Sequence, residues 1–326
     1  MTRKTGALND ITDVPGILVG QAEDRTARTG VTVILPEAPA IIAGDVRGGG
    51  PGTRETDLLD PSTLVDRADA IVLSGGSSYG LGAADGVAAW LGARGRGFQL
   101  MKVEGAPPSP IVPAAILYDL ANGGNKNWGE APPYARLGKE AAASAKKGVS
   151  LGRAGAGFGA RAGAAPGGIG SASFASEDGL IVGALMAVNS FGSVKIPGTN
   201  VFWAAPYEEG DEFGGAWTSS KPQARDLPPD TKLAAARANT TIGVVAVNAA
   251  LTQAQARRVA IMAQDGLARA IRPVHGPTDG DVIFVLATGP LPGADPLQLT
   301  RIGSIAADCV ARGVARAGFE AGKQSG

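Results

Sequence analysis

Histidine and cysteine are almost missing from this sequence: His275 and Cys309 are the single examples in 326 residues. One cysteine excludes an internal disulfide and a thiolate zinc cluster. One histidine excludes a His-rich metal site, and any Ser-His-Asp chemistry would have to use His275. No apolar run approaches ~20 residues, so no membrane span is expected. The opening stretch MTRKTGALNDITDVPGI lacks the hydrophobic segment of a signal peptide, which makes the cytoplasm the default expectation. Lys+Arg and Asp+Glu both number 30 and no basic cluster stands out, which argues against a nucleic-acid partner. The P-loop pattern G-x-x-x-x-G-K-[ST] is absent too, and GAGFGARAG is only a weak glycine pattern. No cofactor or metal is expected.

What remains is a globular chain, 44% hydrophobic and 18% charged, long enough for one large or two ordinary domains. Its 49 glycines fall in clusters rather than at a fixed period, which implies tight turns and close backbone approaches. VPGILVGQAED and GVTVILPE read as short strands, and ADAIVLSGG as a buried strand running into the helix of YGLGAADGVAAWLGARG. GDVRGGGPGTRETDLLDP reads as a glycine-rich loop, SPIVPAAILYDLANGG as a Pro-broken segment, and PPYARLGKEAAASAKKG as a helix starting after a Pro pair. The Gly/Ala run GRAGAGFGARAGAAPGGIGSASF suggests strands or turns passing close to a site, followed by the strand-like LIVGALMAVNSFGSV. The stretch PYEEGDEFGGAWTSSKPQARDLPPDTKLAAARA reads as an exposed connection. TTIGVVAVN and DVIFVLATG read as strands, each followed by an amphipathic helix. In the first helix, capped by Thr252, residues Ala256, Val259, Ala260, Ala263, Leu267 and Ile271 share one face. Alternating strands and helices imply a layered α/β sandwich, with no linker that would separate two domains.

Three constellations carry chemistry. GSSYG, Gly76 to Gly80, fits G-x-S-x-G between a strand and a helix, which would make Ser78 a nucleophile with His275 downstream; the plainer reading is a tight strand-to-helix turn. In GPTDGDVIF, Asp279 and Asp281 stand two apart at the entrance of a strand, able to face one way; a D-G turn explains them equally well. In ARANTTIGVVAVN, Asn239 and Thr240 stand before an apolar run. Propensity alone makes this a strand start. The alternative is self-cleavage, in which a Thr hydroxyl attacks the preceding Asn carbonyl and water releases a new N-terminal Thr. The freed α-amine has a pKa near ~7.7–8.0 and can act as its own base, activating a hydroxyl without histidine.

Several segments taken together resemble the P1 (S58) family of self-processing N-terminal-nucleophile hydrolases. That family includes the L-aminopeptidase D-Ala-esterase/amidase, the β-peptidyl aminopeptidases and the nylon-oligomer (6-aminohexanoate oligomer) hydrolase. The matching pieces are ITDVPGILVG, GVTVILP, DVRGGGPGTRETDLLDP, IVLSGGSSYGLGAADGV, IVPAAILYDL, AVNSFG, NTTIGVVAVNAAL and DGLARAIRPVHGPTDGDVIFVLATG, in family order. The resemblance implies a single-domain, four-layer αββα sandwich cut between Asn239 and Thr240 into chains 1–239 and 240–326. At about 0.1 kDa per residue of a 32.6 kDa chain, the pieces would be about 24 and 9 kDa. By the same resemblance Thr240 is the nucleophile, Asn189 of AVNSFG stabilises the oxyanion, and Tyr118 of ILYDL lies close by. Asp279 and Asp281 match the acidic pair near the threonine of the nylon-oligomer hydrolase. Family members form homo-oligomers, commonly tetramers of the processed pair. Ser78 then becomes part of a turn and His275 a bystander.

One feature departs from the family. Relatives carry a Lys in or after the GARAG region, where this chain has Pro166 in GARAGAAPGGIGSAS; Arg161 and Lys195 are the candidate substitutes. The implied activity is removal of N-terminal residues from small peptides or amides, with endo-cleavage of 6-aminohexanoate oligomers as the alternative. Acyl transfer, or a relative that has lost catalysis, remains open.

Overall fold

Ten consecutive residues, Thr240–Ala249, are buried along their whole length. Such a strand needs cover on both faces, and it reads as continuous apolar sequence because neither side meets water. The computed structural model describes residues 3–101, 103–219, 230–232 and 239–324. Its main strands are β1 (Ile17–Asp24), β2 (Thr29–Pro36), β3 (Ala40–Val46), β4 (Ile71–Ser74), β5 (Ala114–Ile116), β6 (Gly168–Ser176), β7 (Ile181–Asn189), β8 (Thr240–Ala249) and β9 (Val282–Leu291). Its α-helices are α1 (Ala83–Gly92), α2 (Tyr134–Ala143), α3 (Gln253–Ala270) and α4 (Pro296–Lys323).

Two sheets stack face to face. The larger runs β6-β7-β8-β9-β3, edged by the short strands Arg3–Lys4 and Arg67–Ala68; the smaller runs β1-β2-β4-β5, edged by Thr53–Arg54. Between the sheets Ile242, Val244 and Ala246 of β8 and Phe284 and Leu286 of β9 meet Ile17, Val19, Ile34, Ile71 and Leu73. The alternate residues Val245, Val247, Ile283 and Val285 face outward onto α3 and α4. On the far side Val31, Val33 and Val72 pack against α1 and α2 through Val87, Leu91 and Leu137. The order of layers is therefore helix, sheet, sheet, helix, as the resemblance implied. Each fully buried side chain of this size contributes about 1.5–3 kcal/mol.

Local signals account for the elements. Thr252 accepts the backbone N–H of Gln255 at 3.2 Å and the Gln255 side chain accepts the Thr252 N–H at 2.9 Å, a reciprocal cap that starts α3. The six residues expected on one face of that helix are all buried, with Ile271 just past its end. Strand β3 was not foreseen; its AIIAGDV follows Pro39 and takes in the first three residues of the expected glycine-rich loop, and it is held by pairing with the first six residues of β9. The expected exposed connection 206–238 is only partly so. Glu212 within it is buried and paired with Arg312 of α4, itself 0% exposed. Residues 220–229 and 233–238 of that connection lie outside the described residues. No helix among the described residues is long and apolar enough to cross a membrane.

Candidate active site

Thr240 is the first residue of β8, in the middle of the larger sheet. It pairs with Asn189, the last residue of antiparallel β7, while Asn239 bridges in parallel to Asp279, just ahead of β9. Strand ends from both neighbours therefore converge on one peptide bond, Asn239–Thr240. The Thr240 hydroxyl donates a hydrogen bond to the Asn239 carbonyl oxygen. That oxygen also accepts the Gly280 N–H at 3.1 Å. A Cβ on Gly280 would stand 2.7 Å from Thr240 Oγ1, so the residue facing the hydroxyl has no room for a side chain. Thr240 is 4% exposed and Asn239 2%.

The two aspartates sit side by side with different partners. Asp281 is saturated: Oδ1 accepts the Thr241 N–H at 2.7 Å, and Oδ2 accepts the His275 N–H at 3.2 Å and lies 2.9 Å from His275 Nδ1. His275 has φ 58°, a conformation uncommon outside glycine. It is held there from both its backbone and its ring, and so it is part of the site rather than a bystander. Asp279 Oδ2 accepts the Gly276 N–H at 2.7 Å, while its buried Oδ1 makes no hydrogen bond of ordinary geometry among the described residues and the carboxylate feels the Phe191 N–H. Burial first, and then the neighbouring Asp281 charge, push the Asp279 carboxyl up to about 6. The glycine-rich loop after β3 clamps this pair. Arg47 N–H reaches Asp281 O at 2.9 Å and Gly50 N–H reaches Asp279 O at 2.8 Å. A Cβ on Gly48 would come within 2.1 Å of Asp279 O, which explains glycine there.

Across the strand, the Asn189 carboxamide is fixed in orientation. Its Oδ1 accepts the Arg161 backbone N–H at 3.0 Å and the Lys232 ammonium at 3.0 Å, and its Nδ2 donates to the Tyr118 carbonyl at 3.0 Å. Tyr118 thus joins the site through its main chain. Lys232 also donates to the Asn189 carbonyl at 2.8 Å. Burial, followed by the Arg161 charge, pulls its pKa down to about 7, against an opposing pull from Asp279. This is the lysine that sequence reasoning missed. It is one of 30 basic residues, and nothing in the spacing of DTKLAAARANTT marks it.

The two candidate substitutes stand elsewhere. Lys195 rests over the Phe202 ring at 5.2 Å with its ammonium 3.5 Å from Asn200 Oδ1. The exposed Arg161 guanidinium donates to Ala164 O at 3.2 Å, and only its backbone touches Asn189. Among the described residues the one side-chain hydrogen bond of His275 is to Asp281, through Nδ1, and no serine is its partner. Ser78 lies exposed in a 3-10 turn over Ser77–Gly82. Asp119 fastens that turn by accepting the Gly76 N–H at 2.8 Å. GSSYG is therefore a tight strand-to-helix turn.

Comparison with known proteins gives the family and the fold. The profile of peptidase family S58 matches residues 9–326. An uncharacterized aminopeptidase of Mycobacterium tuberculosis is 44% identical, over 94% of this chain and 92% of its own. A 6-aminohexanoate-oligomer endohydrolase of Agromyces sp. is 30% identical, over 94% of this chain and 85% of its own. Among solved structures, the L-aminopeptidase D-Ala-esterase/amidase of Ochrobactrum anthropi, described as a variant of the Ntn hydrolase fold, superposes with a TM-score of 0.70. It is 21% identical and the match covers 97% of this chain and 87% of that one, which makes the shared fold plain. With the whole chain matched by the profile and a relative at 44% identity, this protein belongs to peptidase family S58 and is a hydrolase.

Proposed function

We propose that the chain makes its own nucleophile by cutting between Asn239 and Thr240, and then removes N-terminal residues from small peptides or amides. The observation that carries this reading is the Thr240 hydroxyl resting on the carbonyl of the preceding residue, with the Gly280 N–H on the same oxygen. In the first step Thr240 Oγ bonds to the Asn239 carbonyl carbon. The C–N bond breaks, the hydroxyl proton passes to the departing nitrogen, and an ester remains. Gly280 N–H receives the negative charge that develops on the oxygen. Water then splits the ester into an Asn239 carboxylate and a free Thr240 amine.

In turnover that amine takes the hydroxyl proton while Oγ bonds to the substrate carbonyl carbon. The substrate amide C–N bond breaks, its nitrogen leaves with the proton, and water hydrolyses the acyl-threonine ester. Asn189 is the side-chain donor for the oxyanion. Lys232 and the Arg161 N–H hold its oxygen end, so its Nδ2 end is the one presented. Asp281 fixes the backbone of Thr241, and the open Oδ1 of Asp279 accepts the new α-ammonium.

Intact-mass spectrometry tests the reading. The wild type should appear as two pieces of about 24 and 9 kDa, and Thr240→Ala as one chain of 32.6 kDa without amidase activity. An uncut wild type that hydrolyses amides, or a Thr240→Ala variant as active as the parent, would overturn it.

The paired carboxylates and the 30% identity to an oligomer endohydrolase favour a second reading, endo-cleavage of 6-aminohexanoate oligomers by the same chemistry. An N-acetylated oligomer decides between them. An aminopeptidase leaves it intact and an endohydrolase cuts it.

A further inference from the structure

The equal count of 30 basic and 30 acidic residues makes any local imbalance informative, and one borders the site. A cleft of about 260 Å3 is lined by the side of the chain that carries Arg28, Asn122, Arg153, Ala160, Arg161 and Pro166. Three of its lining residues are arginines and none is acidic. Neither Arg28 nor Arg161 has a carboxylate partner among the described residues. The carboxylate beneath the floor, Asp119 near Gly159, is buried, bonded to the Gly76 N–H and balanced by Lys126. The cleft is joined to the reacting centre by one residue, because the Arg161 N–H bonds to Asn189 Oδ1 and Asn189 pairs with Thr240.

Strand order turns this into a polarity. β7, β8 and β9 are neighbours, with Asn189 and the arginine cleft on the β7 flank of Thr240 and Asp279 and Asp281 on the β9 flank. β7 and β9 are two strand spacings apart, about 10 Å, and the cleft begins beyond β7, across the Arg161–Asn189 hydrogen bond. An extended tripeptide spans about the same distance at ~3.4 Å per residue. We infer that the arginine cleft is a subsite for the free carboxylate of a short peptide, so that the protein selects di- and tripeptides with an unblocked C-terminus over their C-terminal amides. Guanidinium suits this task, since it binds carboxylate in a planar, two-pronged fashion. A substrate lying across β8 from the Thr240 side would set its carboxylate on the basic flank.

The inference rests on Thr240 as the reacting centre, and the test separates the two. Di- and tripeptides of alanine are assayed with the processed protein as free acids and as C-terminal amides. The wild type should favour the acids by about tenfold in kcat/KM, the effect of one charge-assisted hydrogen bond. Arg28→Glu should erase most of that preference through a higher KM for the acids, and Arg28→Lys should restore part of it. Complete chain processing and an unchanged melting temperature show that the variants are folded. Equal use of acids and amides by the wild type, or an undiminished preference in Arg28→Glu, overturns the subsite while leaving the amidase reading intact. If neither form is hydrolysed, the amidase reading fails, and calorimetric binding of trialanine against its amide decides the subsite alone. Tighter binding of the acid, lost in Arg28→Glu, upholds it, and equal binding overturns it.

Discussion

Burial holds the Asp279 carboxyl at about 6 instead of 3.8, and this has two measurable consequences of opposite sign. A carboxyl with a raised folded-state pKa holds its proton more tightly when folded. Its contribution to stability is full below the unfolded value of 3.8 and is lost as pH rises through about 6. Asp279→Asn should therefore melt a few degrees higher than the wild type at pH 7–8, with the gap closing toward pH 4, in a thermal scan. Activity should follow the opposite course. The wild type should lose turnover as pH falls through about 6, where the carboxylate proposed to receive the Thr240 amine is protonated, and Asp279→Asn should be inactive throughout. An Asp279→Asn variant that is active and keeps the acid limb would remove Asp279 from the mechanism. At this scale the sequence was legible where side chains are close in the chain. Asp279 and Asp281 stand two apart, and Thr240 follows Asn239. Lys232 and Asn189 are 43 positions apart and meet only because the ends of β7 and β8 are brought into register. His275 escaped for a related reason, because its role is set by a turn that points both its N–H and its ring at Asp281.

Helix α3 joins β8 to β9 and so sets the distance between Thr240 and the aspartates. Its start is fixed by the reciprocal bonds of Thr252 and Gln255. Thr252→Ala should cost about 1 kcal/mol of stability in urea denaturation and leave processing unchanged, because the cap lies at the end of β8 remote from Thr240. This element was legible because cap and apolar face agree. Strands β8 and β9 were legible as unbroken apolar runs. β3 was not, because a seven-residue segment beside glycines offers no periodicity; its strand character comes from β9. The Gly/Ala run after residue 153 became a 3-10 turn, a two-stranded ribbon and β6. Its lack of side chains could announce close approach but not the partner approached.

In the whole molecule, the proposed cut would leave β8 and β9 in the piece after residue 239 and their outer neighbours β7 and β3 in the piece before it. The smaller piece is thus threaded through the centre of the larger sheet, with α3 and α4 covering it. Cutting the Asn239–Thr240 bond removes none of those pairings. Native size-exclusion chromatography of fully processed protein should give one peak holding both pieces in equal amounts, separable only by denaturant. Release of the 9 kDa piece under native conditions would contradict this threading.

Lys232 lies on the larger piece, with seven residues between it and Thr240. The proposed cut falls in the link between that lysine and β8. Once the link is gone, Lys232 belongs to a newly made carboxyl terminus, anchored by its own contacts to Asn189 and Phe191 and by Asp230 on Ala164. Under the proposed self-cleavage the site would depend on a lysine close to a chain end that the cut creates. An exopeptidase shortening that end could go no further than seven residues before it took away the group that orients Asn189, so a processed protein would carry a limit on its lifetime that an uncut chain would not have.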